Sequence, residues 1–125
     1  DLKEADLTQA RLWNADLTLA NLSEANLKNA NLSEGRLWGT NLKSANLVQA
    51  ILHGVDLQYA NLGKTNLTGA DFHSFSSRSS QQLTNLSYAN LEGANLTNTD
   101  LRGVKFKGTI MPDGFVNNGN FGELD

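Results

Sequence analysis

The two histidines of this chain, His53 and His73, stand twenty residues apart, and Asp71 lies two residues before the second. Two imidazoles and a carboxylate can hold Zn²⁺ or Cu²⁺ when the fold brings them together. The rest of the chemistry is thin. The chain has no cysteine, which excludes a disulfide frame and a thiolate metal site. There is no nucleophile–base constellation, no Gly-rich phosphate loop and no carboxylate pair set apart from its surroundings. The hydroxyls and carboxylates recur at fixed intervals, and that regularity accounts for them. The sequence therefore reads as non-enzymatic, with no cofactor, no assigned metal site and no small-molecule substrate. On this reading His53 and His73 are incidental surface residues.

What must position these residues is a period of five. Leucine or phenylalanine recurs at Leu2, Leu7, Leu12, Leu17 and Leu22, and so on to Leu67 and Phe72. Alanine commonly stands two places before it, and Asn or Asp one place before. This fits neither the helical 3.6 nor the strand 2.0. It marks a repeat architecture.

The triplets Ala5-Asp6-Leu7, Ala15-Asp16-Leu17, Ala25-Asn26-Leu27, Ala45-Asn46-Leu47, Ala60-Asn61-Leu62, Ala89-Asn90-Leu91 and Ala94-Asn95-Leu96 resemble the pentapeptide-repeat family. The resemblance covers about 100 of the 125 residues. It implies an all-β solenoid, a right-handed quadrilateral β-helix with four pentapeptides per coil. Leu and the small residue would point inward and the other three positions outward. Asn or Asp suits the turn because its side chain can bond nearby backbone groups. Arg11, Arg36, Ile51 and Lys105 break that rule. Val55 and Val104 are the bulkiest residues at the small position and predict slightly bulged coils.

Residues twenty apart should then stack at about 4.8 Å. Asn21, Asn41 and Asn61 form one column, and Asn26, Asn46 and Asn66 the next, as structural amide ladders. Asp16, Arg36 and Asp56 form a third, in which Arg36 is expected to pair with both neighbours. Trp38 faces outward where the repeat wants a polar residue. Leu19 and Tyr59 lie one coil to either side of its neighbour Gly39, and Trp13 and Ile51 face outward on the adjoining side. Apolar residues gathered in solvent indicate a contact surface. Trp13, Leu19, Trp38, Ile51 and Tyr59 are therefore the candidate partner surface. The alternative is that each lies flat over a neighbour and shields backbone.

The chain reads as one domain in four parts. A first block of coils spans 1–74, a loop interrupts the repeat at 75–83, a second block spans 84–111, and a C-terminal cap spans 112–125. Phe75 is expected to pin the loop to the core. Met111-Pro112-Asp113-Gly114 is turn chemistry, and Asn118-Gly119 is a hairpin signal. Phe115, Val116 and Phe121 are expected to cover the last core layer, since a solenoid end needs a cap. The chain opens mid-repeat at Asp1 and its one methionine is Met111. The expectation is a removed targeting segment or an excised piece of a longer protein.

Net charge is −3 with a pI near 5.3. That argues against a phosphate-backbone binder, which carries a basic stripe. No apolar run approaches the ~20 residues that span a bilayer. The favoured function is a rigid scaffold for an unknown protein partner, in the cytoplasm or exported to a periplasm or thylakoid lumen. The first alternative, drawn from the family, is a DNA-mimicking inhibitor or protector of DNA gyrase. Lys28, Lys43, Lys64, Arg11 and Arg36 interleave the carboxylates and weaken it. The second alternative is the repeat segment of a larger protein.

Overall fold

The computed structural model describes residues 1–74 and 83–119. The chain winds into a stack of four-sided coils. Parallel bridges join Asp6 to Asn26, Asn26 to Asn46 and Asn46 to Asn66, so each coil takes twenty residues. Three further series run beside this one, and each marks one side of the tower. Only one bridge forms per side and coil, because a turn follows every fifth residue.

The pentad 41–45 shows why the sequence repeats as it does. Asn41 N–H donates to the Ala20 carbonyl at 3.0 Å in the preceding coil, while Leu42 and Ser44 N–H donate to Asn61 and Gly63 at 2.7 and 2.9 Å in the next. Ala45 N–H closes the turn on the Leu42 carbonyl at 3.0 Å. The fifth donor, Lys43 N–H, goes to the Asn41 side-chain Oδ1 at 3.0 Å. All five backbone donors are satisfied, as burial beside a core demands. The Asn and Asp columns thus act within their own pentads. Their Oδ1 atoms accept the N–H two residues on at 2.9–3.1 Å. This corrects the expectation of side-chain ladders between coils.

The turn itself is of type II, which needs positive φ at its third residue. Thirteen described non-glycine residues take it, among them Glu4, Gln9 and Ser44 at 61°, 61° and 60°. A side chain there costs about 1–2 kcal/mol.

The small position faces inward against the turn. An Ala there closes the turn at 2.9–3.1 Å, whereas Val55 and Val104 stretch it to 3.4 and 3.3 Å. Both valines are buried, so the extra methyls are accommodated by opening the turn. The axis is filled by Leu22 through Leu67, Phe72, Leu86, Leu91 and Phe106, all buried. Each buried leucine contributes roughly 1.5–3 kcal/mol. Leu2, Leu7, Leu12 and Leu17 of the first coil are half-buried.

Past Ile51 the pairing interval changes. Asp56 pairs with Asn85, Asn61 with Asn90, Asn66 with Asn95 and Asp71 with Asp100, an interval of 29 positions, before Asn85 pairs with Lys105 at twenty again. Nine additional residues are therefore accommodated at one corner, after Ser74 and before Thr84. Thr84 N–H donates to Ser74 Oγ at 3.1 Å, and Thr84 Oγ1 accepts Gly54 N–H at 2.7 Å. Phe75, expected to pin this insertion, lies outside the described residues.

The C-terminal end differs from its expectation. Strand β1 (Thr109–Ile110) pairs antiparallel with β2 (Val116–Asn117). The hairpin turns at Pro112-Asp113-Gly114, with Met111 N–H donating to the Phe115 carbonyl at 2.8 Å. Asn118-Gly119 follows β2 and does not make the turn. Phe115 is 74% exposed and Val116 is exposed too, so neither covers the core; Met111 packs against it instead. Phe121 lies outside the described residues. Among the described residues no helix is long and apolar enough to cross a membrane.

Candidate functional site

Bridges through Asp16, Arg36, Asp56, Asn85 and Lys105 define one side of the tower. At the turns of this side stand Leu19, Gly39, Tyr59, Tyr88 and Gly108, one per coil. Leu19, Tyr59 and Tyr88 take φ of 61°, 63° and 62°. Bulky residues are genuine outliers in this region of backbone space. At the other described turns the position is held by Glu, Gln, Asn, Ser, Lys or Gly.

The side chains form one row. The Tyr59 and Tyr88 rings stack with centroids 5.0 Å apart and planes 12° from parallel. Trp38 sits 5.2 Å from Tyr59 at 47°. Glycines make room at both ends. A Cβ on Gly39 would meet Leu19 Cδ2 at 2.7 Å, and one on Gly108 would meet the Tyr88 ring at 2.7 Å. Each large side chain thus leans toward the following coil. The Tyr59 and Tyr88 rings cover one another's faces, and Trp38 meets Tyr59 at a tilt. Trp38, Tyr59 and Tyr88 remain 41%, 51% and 43% exposed.

Tyr88 was missing from the sequence-derived set. It lies 29 residues from Tyr59, and the twenty-residue rule does not reach it. The readable signal was the pentad register: Tyr59 follows Leu57 by two, and Tyr88 follows Leu86 by two. Trp13 and Ile51 stand on the adjoining side, with Arg11, Asn31, Asp71 and Asp100. Both are exposed, and neither shares a ring contact with the Trp38 row among the described residues.

The charged column is simpler than expected. Arg36 Nε lies 3.7 Å from Asp16 Oδ2. Asp56 Oδ1 instead accepts the Gln58 backbone N–H and Nε2, both at 3.1 Å. Arg36 therefore leans to one neighbour only. Hydrogen bonds from Thr18 Oγ1 and N–H, then Arg36, hold the Asp16 carboxyl below its usual range. Thr8 does the same for Asp6.

His53 Nε2 lies 2.8 Å from Asp71 Oδ2, and Asp71 Oδ1 accepts the His73 backbone N–H at 3.0 Å. Among the described residues no group of three His, Cys, Asp or Glu side chains could hold a metal ion. One coil further on, Arg102 grips Asp100 through Nε and a second nitrogen at 2.9 and 2.7 Å. That hydrogen bonding, helped by the charges of Arg102 and His73, lowers the Asp100 carboxyl to about 2 against its burial.

The molecule is a solenoid of four-sided coils, with an Asx-type bond in most pentads and leucine on the axis. Pentapeptide repeats match residues 1–39, 37–73 and 84–112, in eight copies. The chain belongs to the pentapeptide-repeat family, and its fold is the right-handed quadrilateral β-helix. It is similar to alr5209, a pentapeptide repeat protein of Nostoc PCC 7120. Identity is 28%, covering 95% of this chain and 76% of that one, with a TM-score of 0.57. A pentapeptide repeat protein from the Arabidopsis thaliana thylakoid lumen is 31% identical over 82% of this chain and 68% of its own, with a TM-score of 0.47. HetL of Nostoc PCC 7120, involved in heterocyst differentiation regulation, is 29% identical over 91% and 67%, with a TM-score of 0.42. No curated protein sequence matches the chain.

Proposed function

We propose that this pentapeptide-repeat protein is a non-enzymatic scaffold whose Leu19–Trp38–Tyr59–Tyr88 side binds a protein partner, with Trp13 and Ile51 at its margin. One observation carries the reading. Three bulky residues, Leu19, Tyr59 and Tyr88, occupy strained turn positions in a single column and remain exposed to solvent. Stacking returns about 0.5–1.5 kcal/mol per aromatic pair. Each strained turn costs a similar amount, so the row gains little for the isolated fold. Aromatic side chains of this kind anchor protein interfaces when a partner covers them. DNA mimicry has less support, because Arg36 on this side and Lys43 and Lys64 on the next break any continuous acidic stripe.

The test is affinity capture from an extract, followed by titration of the purified captured protein. The parent should bind it, and a Trp38→Ala/Tyr59→Ala variant should bind at least about tenfold more weakly. Equal binding by parent and variant, with both folded, would remove this side from the interface.

A further inference from the structure

Below Tyr59 the aromatic row borders an open groove of about 450 Å³, lined by Gln58, Asn85, Tyr88, Lys105, Lys107 and Asn118 among others. Gln58, Asn85 and Lys105 continue into a second hollow that also contains Leu83 and Asp56. We infer that this groove receives an acidic, extended segment of the partner protein, with carboxylates at Lys105 and Lys107 and apolar side chains along the Tyr88 and Tyr59 edges. The inference rests on the proposed partner-binding role of this side and adds the chemistry of what binds.

Charge carries the choice of occupant. The chain has a net charge of −3, yet this end of the side is locally cationic. Lys105 occupies a position that most pentads give to Asn or Asp, so Lys107 N–H has no side-chain acceptor of the kind that serves Ser87 one coil above. Two residues apart on an extended segment, Lys105 and Lys107 project from the same side. Among the described residues, the ion pairs involve Lys3, Arg36, His53 and Arg102, and neither groove lysine is among them. Asp56 is the acidic residue lining the hollow, and its Oδ1 is held by Gln58. Aromatic edges carry partial positive charge, so the Tyr59–Tyr88 row favours oxygen-rich neighbours as well. Exposed lysines, aromatic rings and amide donors from Gln58, Asn85 and Asn118 together select carboxylates on an extended backbone.

The experiment uses the full chain and fluorescein-labelled decapeptides of alternating Leu with Glu, Gln or Lys, read by anisotropy. A thymidine decanucleotide serves as the phosphate-bearing control. The Glu peptide should bind at least about tenfold more tightly than the Gln or Lys peptides and weaken as salt rises. Lys105→Glu/Lys107→Glu should abolish that preference, and Tyr88→Ala should weaken binding without changing its salt dependence. Equal binding of all three peptides overturns the inference. So does an unchanged affinity in the charge-reversed variant, or no binding up to about 1 mM peptide. Tighter binding of the oligonucleotide makes the groove a phosphate site and overturns it as well. The chain's own last residues include Glu123 and Asp125. A Glu123→Gln/Asp125→Asn variant that alone gains peptide affinity would make them the occupant and overturn the partner assignment. If partner capture still depends on Trp38 and Tyr59 while the lysine variant behaves as the parent, the binding side stands and its acidic chemistry fails.

Discussion

Tyr59 and Tyr88 stack ring on ring at 5.0 Å although 29 residues separate them. The contact bridges the insertion and ties the first run of coils to the second. A double-mutant cycle with Tyr59→Ala and Tyr88→Ala should give a coupling of about 0.5–1.5 kcal/mol in urea unfolding. A coupling near zero would mean that the rings are neighbours without attraction.

Gly108 is held at φ 66° and lies under the Tyr88 ring. Gly108→Ala puts a methyl 2.7 Å from that ring and strains the backbone as well. Destabilisation of about 1–3 kcal/mol is expected, and near-UV circular dichroism should report a displaced tyrosine. An unchanged melting temperature would show that the ring moves aside freely.

Leu47 is fully buried on the axis. Leu47→Lys places an unpaired charge there and should abolish cooperative thermal unfolding. A melt like the parent's would contradict the inward assignment of the repeat centre.

Asn46 Oδ1 accepts the Val48 N–H at 3.0 Å. Asn46→Ala removes the acceptor and should cost about 1 kcal/mol in chemical unfolding, while Asn46→Asp retains most of the stability. Equal losses from both would assign the effect to something other than the oxygen.

Hydrogen bonds from Arg102 hold the Asp100 carboxyl at about 2 in the folded protein, below the ordinary 3.8 of an aspartate. A depressed acid stabilises the fold above its unfolded value, and that contribution fades as pH falls from about 4 through 2. The pair is partly exposed, so solvent screening limits it to about 1 kcal/mol. Asp100→Asn should therefore narrow the stability difference between pH 5 and pH 2 by that amount. An identical acid profile in the variant would show the pair to be inert.

Removing 75–83 takes out nine residues and returns the Asp56–Asn85 interval from 29 to twenty. The coil should close between Ser74 and Thr84, which are already hydrogen-bonded. The shortened chain is expected to unfold cooperatively near the parent's midpoint. Collapse of the fold would show that the insertion supports the stack.

The sequence by itself determined the coil. Leucine every fifth residue, a small residue two before it and Asn or Asp one before it each answer a local demand: the axis, the turn and the orphan N–H. Such demands recur identically in every pentad, so they can be read without knowing what lies above or below. The outward set on this side, Leu19, Trp38 and Tyr59, followed from the same arithmetic, as did the gathering of Trp13 and Ile51 on the next. What the tertiary structure decided were contacts between coils. Tyr88 joins the row because the stack closes over an insertion, and Arg36 leans to Asp16 and not to Asp56. His53 Nε2 comes within 2.8 Å of Asp71 Oδ2 in the next coil. Phe115 stays in solvent because the hairpin turns at Pro112-Asp113-Gly114. These depend on which side chain reaches its neighbour first across about 4.8 Å, a competition among rotamers that a repeat pattern does not encode.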